Sequence, residues 1–139
     1  MELEQALWTY LSTRPALAQY VGAGSAARIY HDIIPQHAYA EATKLSCIVI
    51  NRVGTGFDPG FCSTDRLVDA SIQIDSYAMD RGEAWLLGRA VRDELIDFSG
   101  LLAGEVPVDR ISCENDLPLL DPEPGLYRRS QTYRVWNEE

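Results

Sequence analysis

The sequence predicts an α+β domain: a mostly antiparallel sheet of four to five strands with two main helices packed on one face, in the order α-β-β-β-α-β-β. Three observations predict it. Residues 3–11 and 80–98 carry apolar side chains at helical spacing. Leu67–Tyr77 alternates apolar and polar residues, the signature of a half-buried strand. Gly- and Pro-rich stretches join the predicted strands through short connections, which suits hairpins better than crossovers. The 139 residues show no internal repeat and no composition break, so 1–139 reads as a single domain.

Taken in order, Leu3, Leu7, Tyr10 and Leu11 form the stripe of a first helix. Pro15 interrupts it and opens a short helical turn over 16–21, with Ser12 or Thr13 as the expected cap. Gly22-Ala-Gly-Ser25 ends that turn. Ala27–His31 is a short edge strand, and 32–44 reads as a loop or a further helical turn. Ser46–Val53 is a strand with Cys47, Val49 and Val53 on one face and Ile48 and Ile50 on the other. Apolar groups on both faces make it central. The turn-forming run 54–60 leads to the alternating strand 67–77, so the two strands form a long hairpin. Asp80–Phe98 is the strongest helix, with Ala84, Leu87, Val91, Leu95 and Phe98 in one stripe and Gly100 closing it. Val108–Cys113 is a strand, 116–125 a rigid loop holding three prolines, and Leu126–Trp136 the last strand.

The charge balance is asymmetric. Asp and Glu number 21 against 12 Lys and Arg, a net of −9, and eleven of the twelve bases are arginine. Residues 71–139 alone carry a net of −7. A chain this acidic does not grip nucleic acid by counterion release, which needs clustered basic side chains. Glu114, Asp116, Asp121 and Glu123 either form an electronegative surface or are solvated loop residues that keep the protein soluble.

Cys47, Cys62 and Cys113 are odd in number and lack CxxC spacing, which argues against a secreted disulfide framework and for a reducing compartment. The start, Met1-Glu-Leu-Glu4, is acidic where a signal peptide is basic, and no run approaches the roughly 18 apolar residues of a membrane span.

Signatures of chemistry are weak. His31 and His37 fit no metal-ligand spacing, and neither Gly22-Ala-Gly24 nor Gly54-Thr-Gly56 follows the pattern of a phosphate loop. Cys47 and Cys113 read as small core residues. An enzyme or ligand-binding module would require His31, Asp32 and Cys62 to converge in one pocket. The sequence therefore assigns no catalytic residue, no cofactor and no metal.

The last strand is more informative. Tyr127, Arg129, Gln131, Tyr133 and Val135 share one face, and Arg128, Ser130, Thr132, Arg134 and Trp136 the other. Arginine and aromatic residues are the types enriched in protein interfaces. The alternative is an edge strand whose arginines face water.

Arg28-Ile-Tyr30 with Pro35-Gln36, Ala70-Ser-Ile-Gln-Ile-Asp-Ser-Tyr-Ala78, Val91-Arg-Asp-Glu-Leu95 and Gly125-Leu-Tyr-Arg-Arg-Ser-Gln-Thr-Tyr-Arg-Val-Trp136 form a set of runs in consistent order along the chain. Together they resemble the phage tail completion proteins, the tail terminators of long-tailed bacteriophages. Leu45 stands where the family often has a proline, and 37–44 has no counterpart. The resemblance implies a structural, non-enzymatic subunit of the virion tail, assembled in the host bacterial cytoplasm. It implies a homo-oligomeric ring, typically a hexamer, that caps the tail tube, stops polymerisation of the tube protein and presents a surface to the head-side connector. DNA passes through such a ring without specific binding, and no membrane is involved. A head–tail connector or stopper subunit is the alternative within the virion. Contacts with neighbours are expected from Phe57, Asp58 and Phe61 in the hairpin loop, Asp116, Asp121 and Glu123 in the acidic loop, and Tyr127, Arg128, Arg129, Tyr133 and Arg134 on the last strand.

Overall fold

Helical spacing at the start of the chain gives α1 (Leu3–Ser12), whose Leu3, Ala6, Leu7 and Leu11 are all buried. The computed structural model describes residues 2–34, 46–57, 67–96, 98–121 and 126–138, with the side chains of 56, 57, 67, 120, 121 and 138 outside that description. Helix α2 (Pro15–Val21) starts on a proline, which suits a first-turn position. The expected Ser12 or Thr13 cap is not used. Both hydroxyls donate back into α1, to the carbonyls of Thr9 (2.9 Å) and Tyr10 (2.8 Å), and Arg14 takes the cap position without a side-chain bond. Gly22 ends α2 at φ +82, a left-handed conformation that glycine adopts without steric cost.

Three strands follow: β1 (Ile29–His31), β2 (Cys47–Phe57) and β3 (Leu67–Ala78). Helix α3 (Arg81–Leu95) comes next, capped by Asp80, whose carboxylate accepts the Glu83 N–H at 3.1 Å. The chain closes with β4 (Gly100–Leu102), β5 (Val106–Asp121) and β6 (Leu126–Glu138). The sheet has six strands in the order β1-β2-β3-β6-β5-β4, antiparallel throughout except for β1 with β2.

The α+β class holds, and among the described residues the helices pack on one face of the sheet, while the strand count and element order need correction. Strand β4 is a three-residue piece, and Gly100, expected to close the helix, instead opens this strand. The proline-rich stretch expected as a loop is strand to Asp121: Pro118 pairs with Arg129, and Asp121 with Leu126. Proline is tolerated there because β4 reaches only Val106–Val108, leaving the rest of β5 at the sheet margin. The run 54–57, expected as a turn, continues β2 past a bulge between Arg52 and Gly54. That bulge takes Val53 out of register and leaves it 52% exposed, not facing the core with Cys47 and Val49.

Strand β2 is central, as its two apolar faces predict. Ile48 and Ile50 join the main core with α1, α2, α3, Ile72, Ile74 and Tyr133, while Cys47 and Val49 meet Ile34 and Leu126 on the opposite face. Helix α1 touches β1 and β2 at one side of the sheet and β4 at the other, so the sheet curls around it. Tyr10 fastens α1 to α3: its hydroxyl donates to the Glu94 carbonyl at 3.1 Å and its ring meets Phe98 edge-on. Both sheet margins are blunted against stray strand pairing. The Trp8 indole donates to the Ile29 carbonyl on β1 at 2.9 Å, and on β5 the Asn115 side chain accepts the Asp116 N–H at 3.0 Å.

Candidate functional site

The site is built on β6, whose two faces the sheet treats differently. On the face toward α3, Arg129 is 5% exposed, and Gln131 and Tyr133 are fully buried. Antiparallel pairing places Asp116 of β5 opposite Gln131. Arg129 meets Asp116 with two parallel bonds, Nε to Oδ1 at 2.8 Å and Nη2 to Oδ2 at 2.7 Å. Its third nitrogen donates to the Trp85 carbonyl on α3 at 2.6 Å, and its guanidinium lies 4.5 Å from the Trp85 ring centre. Gly88 makes this possible, because a Cβ at that position would collide with the aliphatic stem of Arg129.

The network extends from both ends. Gln131 donates to the Gly88 carbonyl at 3.0 Å and to Asp116 Oδ2 at 3.3 Å, and the Tyr133 hydroxyl donates to Gln131 Oε1 at 2.8 Å. Arg92 of α3 approaches Asp116 Oδ2 at 3.5 Å. Hydrogen bonding from Arg129 holds the Asp116 carboxyl below its ordinary value, against the opposing effect of burial; Gln131 and the charges of Arg129 and Arg92 assist. The same bond to Asp116 raises Arg129. Burial raises the Tyr133 phenol and, with the Asp116 charge behind it, the Cys113 thiol. Burial pushes the Cys47 thiol up to about 12, so it is an inert core group.

On the outer face of β6, Arg134 bridges Asp69 of β3 (3.2 Å) and Glu114 of β5 (2.9 Å). Arg128 meets Asp75 at 3.4 Å and lies over the Tyr77 ring. Where α3 begins and β5 and β6 approach their connection, a cleft of about 250 Å³ opens, lined by Arg81, Trp85, Pro118, Leu119, Tyr127 and Arg128, with Arg129 beneath.

The predicted contact residues therefore separate. Asp116, Arg129 and Tyr133 come together inside the chain and bond to one another's network. Tyr127 and Arg128 line the cleft at the start of β6, and Arg134 lies further along the strand on the outer face that it shares with Arg128. Asp121 lies at the end of β5 and Phe57 at the end of β2, with side chains outside the description, while Asp58, Phe61 and Glu123 fall outside the described residues. The sequence reading missed Trp85, Gly88 and Arg92, which α3 contributes. A glycine in the middle of the strongest helix was the available signal for close approach. His31 and Asp32 are exposed, and His37 and Cys62 lie outside the described residues. Among the described residues, no group of three or more His, Cys, Asp or Glu is arranged to hold a metal ion, and no helix is long and apolar enough to cross a membrane.

A family model described as tail completion protein gp17 matches residues 5–138. A solved chain from the "virion of native gene transfer agent (GTA) particle" is similar in fold, with a TM-score of 0.72 and 16% identity over 99% of this chain and 95% of that one. No curated protein matches the chain. The protein is thus a structural component of phage-type tail assembly. Specifically, it belongs to the tail completion protein gp17 family.

Proposed function

We propose that this chain is a tail terminator: a subunit of a homo-oligomeric ring, a hexamer, that sits on the last layer of the tail tube, stops polymerisation of the tube protein and offers a surface to the head-side connector. The family match across residues 5–138 carries the reading. The exposed chemistry supports it. Trp85 and Arg81 are exposed beside one cleft, an aromatic and an arginine of the types that anchor protein contacts. The role is architectural rather than catalytic, and assembly takes place in the bacterial cytoplasm before the subunit joins the virion tail. The net charge of −9 supports passage of DNA through the ring without specific binding, because phosphates are repelled rather than held.

The test is deletion of the gene followed by electron microscopy of the particles. Tails of uncontrolled length are expected. Normal tails beside heads that leak DNA would assign the chain to a stopper at the head–tail joint instead. Purified protein added to tube ends should appear as a ring-shaped cap; bare, still-elongating ends would reject the terminator role.

A further inference from the structure

We propose that the β4–β5 hairpin of one copy plugs into the cleft beside α3 of the next copy, making this the contact that closes the ring. The inference rests on the ring-forming reading above and names the surfaces that would carry it.

The socket is the cleft of about 250 Å³. Trp85 is 43% exposed and Leu119 40%, a large apolar area to leave in water on one small patch. Arg81 is exposed at its rim, and Arg128 and Tyr127 complete the lining. The floor is rigid, because Arg129 is fixed by two bonds to Asp116 and by stacking on Trp85. Two aromatic rings and the exposed Arg81 guanidinium around an apolar hollow favour an apolar anchor flanked by a carboxylate, while Arg128 already meets Asp75.

The chain carries such a plug. In the β4–β5 hairpin, Leu102 and Val106 are buried and hold the hairpin to the body, while Leu101 is 59% exposed. Glu105 and Asp109 are exposed beside it. The turn is tight: the Gly104 N–H donates to the Leu101 carbonyl at 3.3 Å and the Glu105 N–H to the Leu102 carbonyl at 3.1 Å. Ala103 adopts φ +53, a conformation strained for a residue with a Cβ, so the surrounding structure fixes the shape of the tip. The result is a preformed apolar knob with an acidic rim, complementary in charge and polarity to a socket edged by Arg81.

Strand register rules out a meeting of the two within one copy. Leu119, in the socket, pairs with Arg128, whereas Val108, at the base of the hairpin, pairs with Asn137. Nine residues of β6 separate those positions, roughly 30 Å at about 3.3 Å per residue. Plug and socket therefore occupy opposite ends of one ribbon. A contact between unlike patches at opposite ends is heterologous, the type that generates rings.

The experiment measures the mass of the full chain in solution by light scattering, alone and on added tube ends, with negative-stain imaging. Variants are Trp85→Ala, Leu101→Ser, Arg81→Glu, Glu105→Arg and the double exchange Arg81→Glu/Glu105→Arg. Leu101, Arg81 and Glu105 are exposed, so their substitution leaves folding intact, and circular dichroism checks Trp85→Ala. Each single variant should raise the concentration needed for assembly by about tenfold or more, and the double exchange should recover most of that loss. Rings that form unchanged with Trp85→Ala and Leu101→Ser overturn the proposal and leave the ring reading standing. So does a double exchange no better than its two singles. Wild-type protein that stays monomeric both alone and on tube ends overturns the ring reading itself.

Discussion

The two faces of β6 present the same chemistry under different cover. Both pair an arginine of β6 with carboxylates of neighbouring strands: Arg129 with Asp116 on the inner face, Arg134 with Asp69 and Glu114 on the outer. All these contacts lie within ion-pair reach (2.7, 3.2 and 2.9 Å), but the Arg129 side chain is 6% exposed and that of Arg134 39%. Helix α3 lies over the first and water over the second. In a dry site a charge loses its hydration, so losing its partner leaves it uncompensated; in water, solvent replaces the partner at little cost. Cover, rather than contact distance, sets what each pair contributes.

The comparison is broken most directly at Asp116. Asp116→Ala leaves the Arg129 guanidinium buried without its carboxylate and removes an acceptor from Gln131. A loss of about 3 kcal/mol is expected by chemical denaturation, with the melting temperature falling by roughly 10 °C. A loss under about 1 kcal/mol would place the inner pair in the same class as a surface pair and end the distinction.

Gly88 tests the same face from the helix side. Gly to Ala in a helix interior ordinarily stabilises by up to about 1 kcal/mol. Here the added methyl meets the Arg129 stem. Gly88→Ala should therefore destabilise, by about 2 kcal/mol. In an Arg129→Ala background the penalty should vanish and the ordinary helical gain return, and a double-mutant cycle reads that coupling directly. Two additive substitutions would show that the glycine serves some purpose other than admitting the arginine.

Acid separates the network next. Asp116 titrates below its ordinary value in the folded chain, chiefly because Arg129 hydrogen-bonds its ionised form. A carboxyl lowered by folding contributes stability that is complete above its unfolded value, about 4, and is lost as pH falls through the folded one. Wild-type stability should thus decline below about pH 4, and Asp116→Asn should flatten that part of the profile while lowering stability at neutral pH. An unchanged profile in Asp116→Asn would assign the acid sensitivity to other carboxylates.

How much of this was legible in the sequence varies with the kind of signal. Strands β2 and β3 and helix α3 were legible because their periodicity is strong and their faces apolar. Strand β4 was not, since Gly100-Leu-Leu102 is too short to alternate and its glycine, closely following the helix, reads as the helix's end. The second half of β5 was misread for a physical reason: Pro118 and the acids around it resemble a loop, yet a strand at the margin of a sheet tolerates both. The alternation of Arg129, Gln131 and Tyr133 was visible, and their types marked the strand as important. Their burial was not visible, because it depends on α3, far earlier in the chain, laying Gly88 over the arginine stem. Local sequence shows that a face is polar; only tertiary packing decides whether that face is wet.

The outer face supplies the smallest effect and the sharpest control. Arg134 stands between Asp69 and Glu114 across three strands, with all three side chains about a third or more exposed. Its guanidinium also lies 5.8 Å from the ring centre of Trp136 on its own strand. Arg134→Ala removes the bridge and leaves two carboxylates facing each other across β6, but water hydrates both. The expected loss is under about 1 kcal/mol. Because the interaction is exposed, it should shrink further in about 1 M salt, where the screening length falls to about 3 Å. The Asp116→Ala loss should fall less under the same salt, since the Arg129 side chain is 6% exposed. Equal salt sensitivity in the two variants would mean that the inner pair is hydrated after all, and the difference between the faces of β6 would then have to come from contact geometry alone.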